Sequence, residues 1–158
     1  GPGLYTGLRV GLATAGALAQ ALGIGLVGVT SCELLAHAAA TRGVAGSVLA
    51  VVDARRGEVF VQRFTLGDGR ASALDEPAVA RPDEVAPTLD ESWTITGDGA
   101  RRYGDLLCAR GSALMNDVVP SPGAALDIGA LREGVERVAP LYLRDADAVA
   151  NFATRERP

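Results

Sequence analysis

Ser47-Val48-Leu49-Ala50-Val51-Val52-Asp53-Ala54-Arg55-Arg56-Gly57-Glu58-Val59-Phe60-Val61-Gln62-Arg63-Phe64-Thr65-Leu66 reads as two strands joined by a tight turn. Ser47 to Asp53 is an apolar, β-branched run of the kind that fills a sheet interior. Ala54-Arg55-Arg56-Gly57 supplies the turn, and Glu58 to Leu66 returns as the second arm of a hairpin. In that return strand Val59, Val61 and Arg63 point one way and Phe60, Gln62 and Phe64 the other, because side chains alternate across a sheet. Neither face is uniformly polar, so both are expected to be partly covered.

Upstream, Gly25-Leu26-Val27-Gly28-Val29 reads as a short buried strand, and Thr30-Ser31 caps a helix from Cys32 to Thr41. A strand feeding a helix is the unit of layered α/β proteins. Further upstream, the glycine-punctuated loop Gly1-Pro2-Gly3-Leu4-Tyr5-Thr6-Gly7 opens a helix, with Thr6 placed to cap it. At about 100° per residue, Leu8, Leu12, Ala15, Leu18, Ala19 and Leu22 fall on one arc, with Val10, Ala17 and Ala21 opposite. Only Arg9, Gly16 and Gln20 form a narrow polar stripe. A helix apolar nearly all round is expected to be buried on more than one side, against its own core and against a partner.

Downstream of the hairpin, Gly67-Asp68-Gly69 is a turn and Arg70 to Pro87 an irregular connection, within which Pro82-Asp83-Glu84-Val85 opens a short helix. Trp93 to Thr96 is a strand feeding a helix from Ala100 to Cys108 through Gly97-Asp98-Gly99. A further strand near Leu114 to Val118, a loop at Pro120 and Pro122, and a helix from Ala124 to Val138 are expected. Pro140-Leu141-Tyr142-Leu143-Arg144 closes the ordered part, and a polar tail follows Ala150.

Composition narrows the chemistry. A chain of 158 residues is long enough for a real core, and a net charge of −4 offers no basic face for nucleic acid. All fifteen cationic residues are arginine, which removes Schiff-base chemistry and the lysine of a Walker loop. Cys32 and Cys108 are the only cysteines, too few for a disulfide framework or a zinc site, and they point to a reducing cytoplasm. His37 is the only histidine, so a zinc hydrolase lacks ligands, and no serine sits in a nucleophile elbow. The apolar stretch Gly7 to Val29 is broken at Gly23-Ile24-Gly25, short of the roughly 20 residues that a bilayer requires. No membrane association is expected.

Two places could bind nucleotide. Asp53, at the end of its strand, could hold a magnesium ion beside Arg55 and Arg56, or simply sit at a charged hairpin tip. Against the metal, no second carboxylate accompanies it and Ala54 stands where a phosphate-cradling glycine belongs. Gly97-Asp98-Gly99 before a helix is either a phosphate loop or a tight turn, and both readings stand.

Several segments together resemble one family, the bacterial TsaB (YeaZ) proteins of tRNA threonylcarbamoyladenosine biosynthesis, also called glycoprotease-like. Gly1-Pro2-Gly3-Leu4-Tyr5-Thr6-Gly7-Leu8-Arg9 is similar to that family's Gly-Pro-Gly-Ser-Phe-Thr-Gly-Leu-Arg signature, with Leu4 and Tyr5 replacing Ser and Phe. Gly28-Val29-Thr30-Ser31, Val51 to Phe60, Thr96-Gly97-Asp98-Gly99-Ala100 and Pro140 to Arg144 are similar in kind and order.

The resemblance implies a two-lobed actin-like, Hsp70-like ATPase (ASKHA) fold of α/β class with the first lobe incomplete. Residues 1–46 would be the remainder of that lobe (helix, strand, helix), 47–150 the second lobe and 151–158 the tail. Family members carry a segment ahead of the signature, so this chain is expected to expose apolar surface that the segment covers. The implied role is a non-catalytic partner of the TsaD transferase, docking through Leu8, Leu12, Ala15, Leu18, Ala19 and Leu22. It further implies a homodimer when alone, recruitment of TsaE, and tRNA contact only through the complex. No metal or cofactor is implied for this chain itself, with ATP or ADP and magnesium entering at the level of the complex. The alternative is a small-molecule kinase or ATPase of the same fold, using Asp53, Gly97, Asp98 and Gly99.

Overall fold

The computed structural model describes residues 1–2 and 5–143. Its elements run α1 (Tyr5–Leu22), α2 (Ser31–Ala40), β1 (Gly46–Arg55), β2 (Glu58–Gly67), β3 (Arg70–Ala73), β4 (Ala78–Ala80), α3 (Pro82–Val85), β5 (Trp93–Thr96), α4 (Asp98–Leu107), β6 (Ala113–Met115) and α5 (Pro122–Gly129). They build one six-stranded sheet of order β3-β2-β1-β5-β6, with β4 continuing beside β2. β1 pairs antiparallel with β2 and parallel with β5, and β6 extends the parallel side.

The hairpin is the spine of this sheet. Val48, Leu49, Ala50 and Val51 are fully buried, because β1 has a strand on each edge and a helix layer on each face. Val48 and Ala50 join Phe64 and Leu66 against Cys32, Leu35, Ala36 and Ala39 of α2. Leu49 and Val51 join Val59 and Val61 against Val85, Ala100 and Leu107 on the opposite face. The two-period alternation of β1 and β2 thus separates two cores, and the expectation that both faces are covered holds. α2 opens with a reciprocal cap: Thr30 Oγ1 accepts the Glu33 N–H, and Glu33 Oε2 accepts the Thr30 N–H.

Several expectations are corrected. Gly25 to Val29 is not a strand; Leu26 alone exchanges backbone hydrogen bonds with Val135, at 2.8 and 2.7 Å. The glycines serve closeness instead, since a Cβ on Gly25 would lie 3.0 Å from Gly134 Cα. The helix expected over Ala124 to Val138 stops at Gly129, as the following chain turns away to reach Leu26. Arg70 to Pro87 is not irregular: Asp68 (φ 51°) and Gly69 (φ 70°) fold the chain back as β3, and β4 follows. Thr6 lies inside α1 rather than at its cap. The last strand shortens to Ala113–Met115, and α4 begins at Asp98. Arg144 and the tail after Ala150 lie outside the described residues. Among the described residues no helix is long and apolar enough to cross a membrane.

Candidate functional site

Two features carry the candidate residues. The first is a cleft of about 420 Å³ where the carboxyl ends of β1 and β5 meet the start of α4. Asp53, Gly97 and Asp98 line it, with Ser31, Arg55, Arg101 and Asn116. Crevices at the carboxyl ends of parallel strands are where α/β sheets bind ligands.

Asp53 is already engaged there. Its Oδ1 accepts the Arg55 N–H at 2.9 Å, and its Oδ2 lies 2.8 Å from Arg102 and 3.3 Å from Arg55. Burial works to raise its pKa, but the Arg55 N–H, the Arg102 hydrogen bond and the two guanidinium charges outweigh it and hold the carboxyl below the usual range. Asp98 Oδ1 accepts the backbone N–H of Asp53 at 3.0 Å. A divalent cation does not fit this donor set as it stands, because each Asp53 oxygen faces hydrogen-bond donors.

The glycines answer to packing. A Cβ on Gly97, whose φ is 110°, would lie 2.2 Å from Val51 O, and one on Gly99 would lie 2.8 Å from Val51 Cγ1. Both let the start of α4 press against β1. Gly99 is buried and lines no part of the cleft. Sequence reasoning singled out Asp53 and Asp98 but not Arg102, although Asp98 to Arg102 is the spacing that puts two side chains on one helix face.

The second feature is α1. Its apolar arc splits: Ala19 is buried, Leu8 and Leu12 are half-buried, and Ala15, Leu18 and Leu22 are exposed. Leu12 and Ala19 border a groove whose other wall is Ile24, Leu26 and Val138. Leu18 is 58% exposed, Leu22 68% and Val10, about 80° round the helix from Leu18, 62%. Arg9 Nε donates to the Tyr142 hydroxyl at 2.7 Å, and its guanidinium lies 5.7 Å from that ring's centroid. His37, on α2, sits 3.3 Å from Asp127 of α5 and takes no part in either feature.

A family model described as "TsaD: tRNA N6-adenosine threonylcarbamoyltransferase" matches residues 1–101. The chain is 41% identical over 167 residues to the tRNA threonylcarbamoyladenosine biosynthesis protein TsaB of Bacillus subtilis, covering 99% of this chain and 72% of that protein. Its identity to the Escherichia coli protein of the same name is 31% over 157 residues, covering 92% and 68%. An uncharacterized Mycobacterium leprae protein is 37% identical over 99% of this chain, which spans only 39% of that relative. The solved structure of YeaZ from Pseudomonas aeruginosa superimposes with a TM-score of 0.78 at 31% identity, covering 90% of this chain and 70% of that one. With sequence and fold agreeing over nearly all its length, the chain belongs to the TsaB (YeaZ) family.

Proposed function

We propose that this chain works in tRNA threonylcarbamoyladenosine biosynthesis as a non-catalytic partner of a TsaD transferase, docking through α1. The observation that carries this reading is a helix whose outward arc shows Val10, Leu18 and Leu22, each more than half exposed, opposite the side that Leu12 and Ala19 turn to the protein. Such a helix loses roughly 25 cal/mol per Å² of apolar surface covered, which favours association with a second apolar helix face. The engaged state of Asp53 supports an adaptor over a chain doing metal-assisted phosphate chemistry of its own.

The remaining parts follow from family likeness. The protein is a two-lobed actin-like molecule in which residues 1–46 belong to the first lobe and the sheet spanning 46–115 to the second. It pairs with itself when alone, recruits TsaE with TsaD, meets tRNA and ATP or ADP with magnesium only within the complex, and resides in the cytoplasm.

The test measures binding of the full-length gene product to the TsaD of the same organism, with Leu18→Asp and Leu22→Asp. A loss of at least tenfold is expected; unchanged affinity removes α1 from the interface.

A further inference from the structure

β3 ends one side of the sheet, and its free edge borders a cavity. Leu74 N–H donates to Arg63 O at 2.9 Å, so residues 63 and 74 form a hydrogen-bonded pair. Antiparallel alternation gives the same role to 65 with 72 and 67 with 70. Ala71 and Ala73 therefore turn their N–H and C=O groups away from β2. Among the described residues no group bonds to that outer edge.

The side chains of the same two alanines line a cavity of about 310 Å³ with Phe64, Ile128 and Leu131, the last of these 75% exposed. A strand paired with Ala71 and Ala73 would direct the side chains opposite them to the same face of the sheet, and so into this cavity. Charge completes the pattern. Glu33 and Arg132 at the rim neutralise each other, whereas Arg70 has no partner among the described residues. The strand carries no proline or lysine, the usual guards of an exposed edge.

We propose that the β3 edge is a docking strand for an extended segment of another protein. That segment has two apolar side chains spaced two residues apart and a carboxylate that meets Arg70. Main-chain pairing with Ala71 and Ala73 supplies the register, and the cavity selects the side chains.

A phage-displayed random octapeptide library selected on the full-length gene product tests this. Enriched peptides are expected to alternate apolar residues and carry Asp or Glu. They should protect the Ala71 and Ala73 amides from exchange at least tenfold. Ala73→Pro removes only an outward N–H and should abolish binding; Leu131→Asp, at an exposed position, should do so without touching the strand. Arg70→Glu should turn the preference toward Lys and Arg. The proposal is overturned if selection yields no alternating acidic peptides, if the enriched ones bind both Ala73→Pro and Leu131→Asp unchanged, or if the Ala71 and Ala73 amides are already protected from exchange without peptide.

Discussion

Asp98 Oδ1 accepts the backbone N–H of Asp53 at 3.0 Å, tying the end of β1 to the first turn of α4 across a sequence separation of 45 residues. The contact exists because β1 and β5 run parallel as neighbours, so that the chain leaving β5 re-enters beside the end of β1. Asp98 is thereby spent on holding two elements together, and its neighbour Gly97 is the residue that lets them approach.

Gly97→Ala should therefore be among the most damaging single changes in the chain. The added methyl would meet Val51 O at 2.2 Å in a backbone region that L-residues avoid, and Val51 lies in the fully buried part of β1. A loss of about 3 kcal/mol or more is expected from combined strain and overpacking. Urea unfolding of the full-length gene product checks it, with Gly43→Ala, equally positive in φ but sterically open, as the milder control.

Asp53→Asn should change the shape of the stability profile in acid. The folded-state pKa of Asp53 lies below its unfolded value, so its contribution is present above about pH 4 and is lost as pH falls through the folded pKa. The asparagine variant is expected to be less stable than the parent at pH 7, with the gap narrowing progressively below about pH 4. A gap independent of pH would mean that packing, not the Arg102 and Arg55 contacts, sets the effect.

How far the sequence carried depended on whether a signal was local. Ser47 to Leu66, the Thr30 cap and Pro82–Val85 declare themselves through alternation, side-chain capping and proline placement, whereas the reciprocal bond from Glu33 came only with the structure. β3 and β4 carry no such pattern, as Arg70-Ala71-Ser72-Ala73 becomes a strand only because β2 offers it an edge. Conversely, Gly25 to Val29 has strand-like composition but only the single Leu26 bridge to pair with. The same division applies to the cleft. Asp53 and Asp98 stood out as carboxylates beside turns, whereas the engagement of Arg102 by Asp53 depends on how α4 is seated over β1.

Leu35→Ala and Leu18→Ala should separate the two kinds of apolar residue in this chain. Leu35 is 1% exposed in the core beneath α2, so its truncation is expected to cost about 2–5 kcal/mol. Leu18 is 58% exposed, and its truncation should stay within about 0.5 kcal/mol. Thermal melts read the first effect and partner affinity the second; a large stability loss at Leu18 would make α1 part of the core rather than a docking surface.

The two cysteines should report on global and local opening separately. Cys32, on the sheet-facing side of α2, is fully buried, and burial pushes its thiol up to about 12, so at pH 8 it stays the unreactive thiol even before access is considered. Cys108, at the end of α4, is also raised by burial, but it is partly exposed. Iodoacetamide at pH 8 should modify Cys108 first, and Cys32 only at the rate of global unfolding. Mass spectrometry across a urea series distinguishes the cases: the Cys32 rate should rise along the unfolding curve while the Cys108 rate stays nearly flat. Equal rates in the absence of urea would mean that α2 lifts from the sheet on its own, and that the core shared by Leu35, Ala39 and Phe64 opens without the rest of the fold.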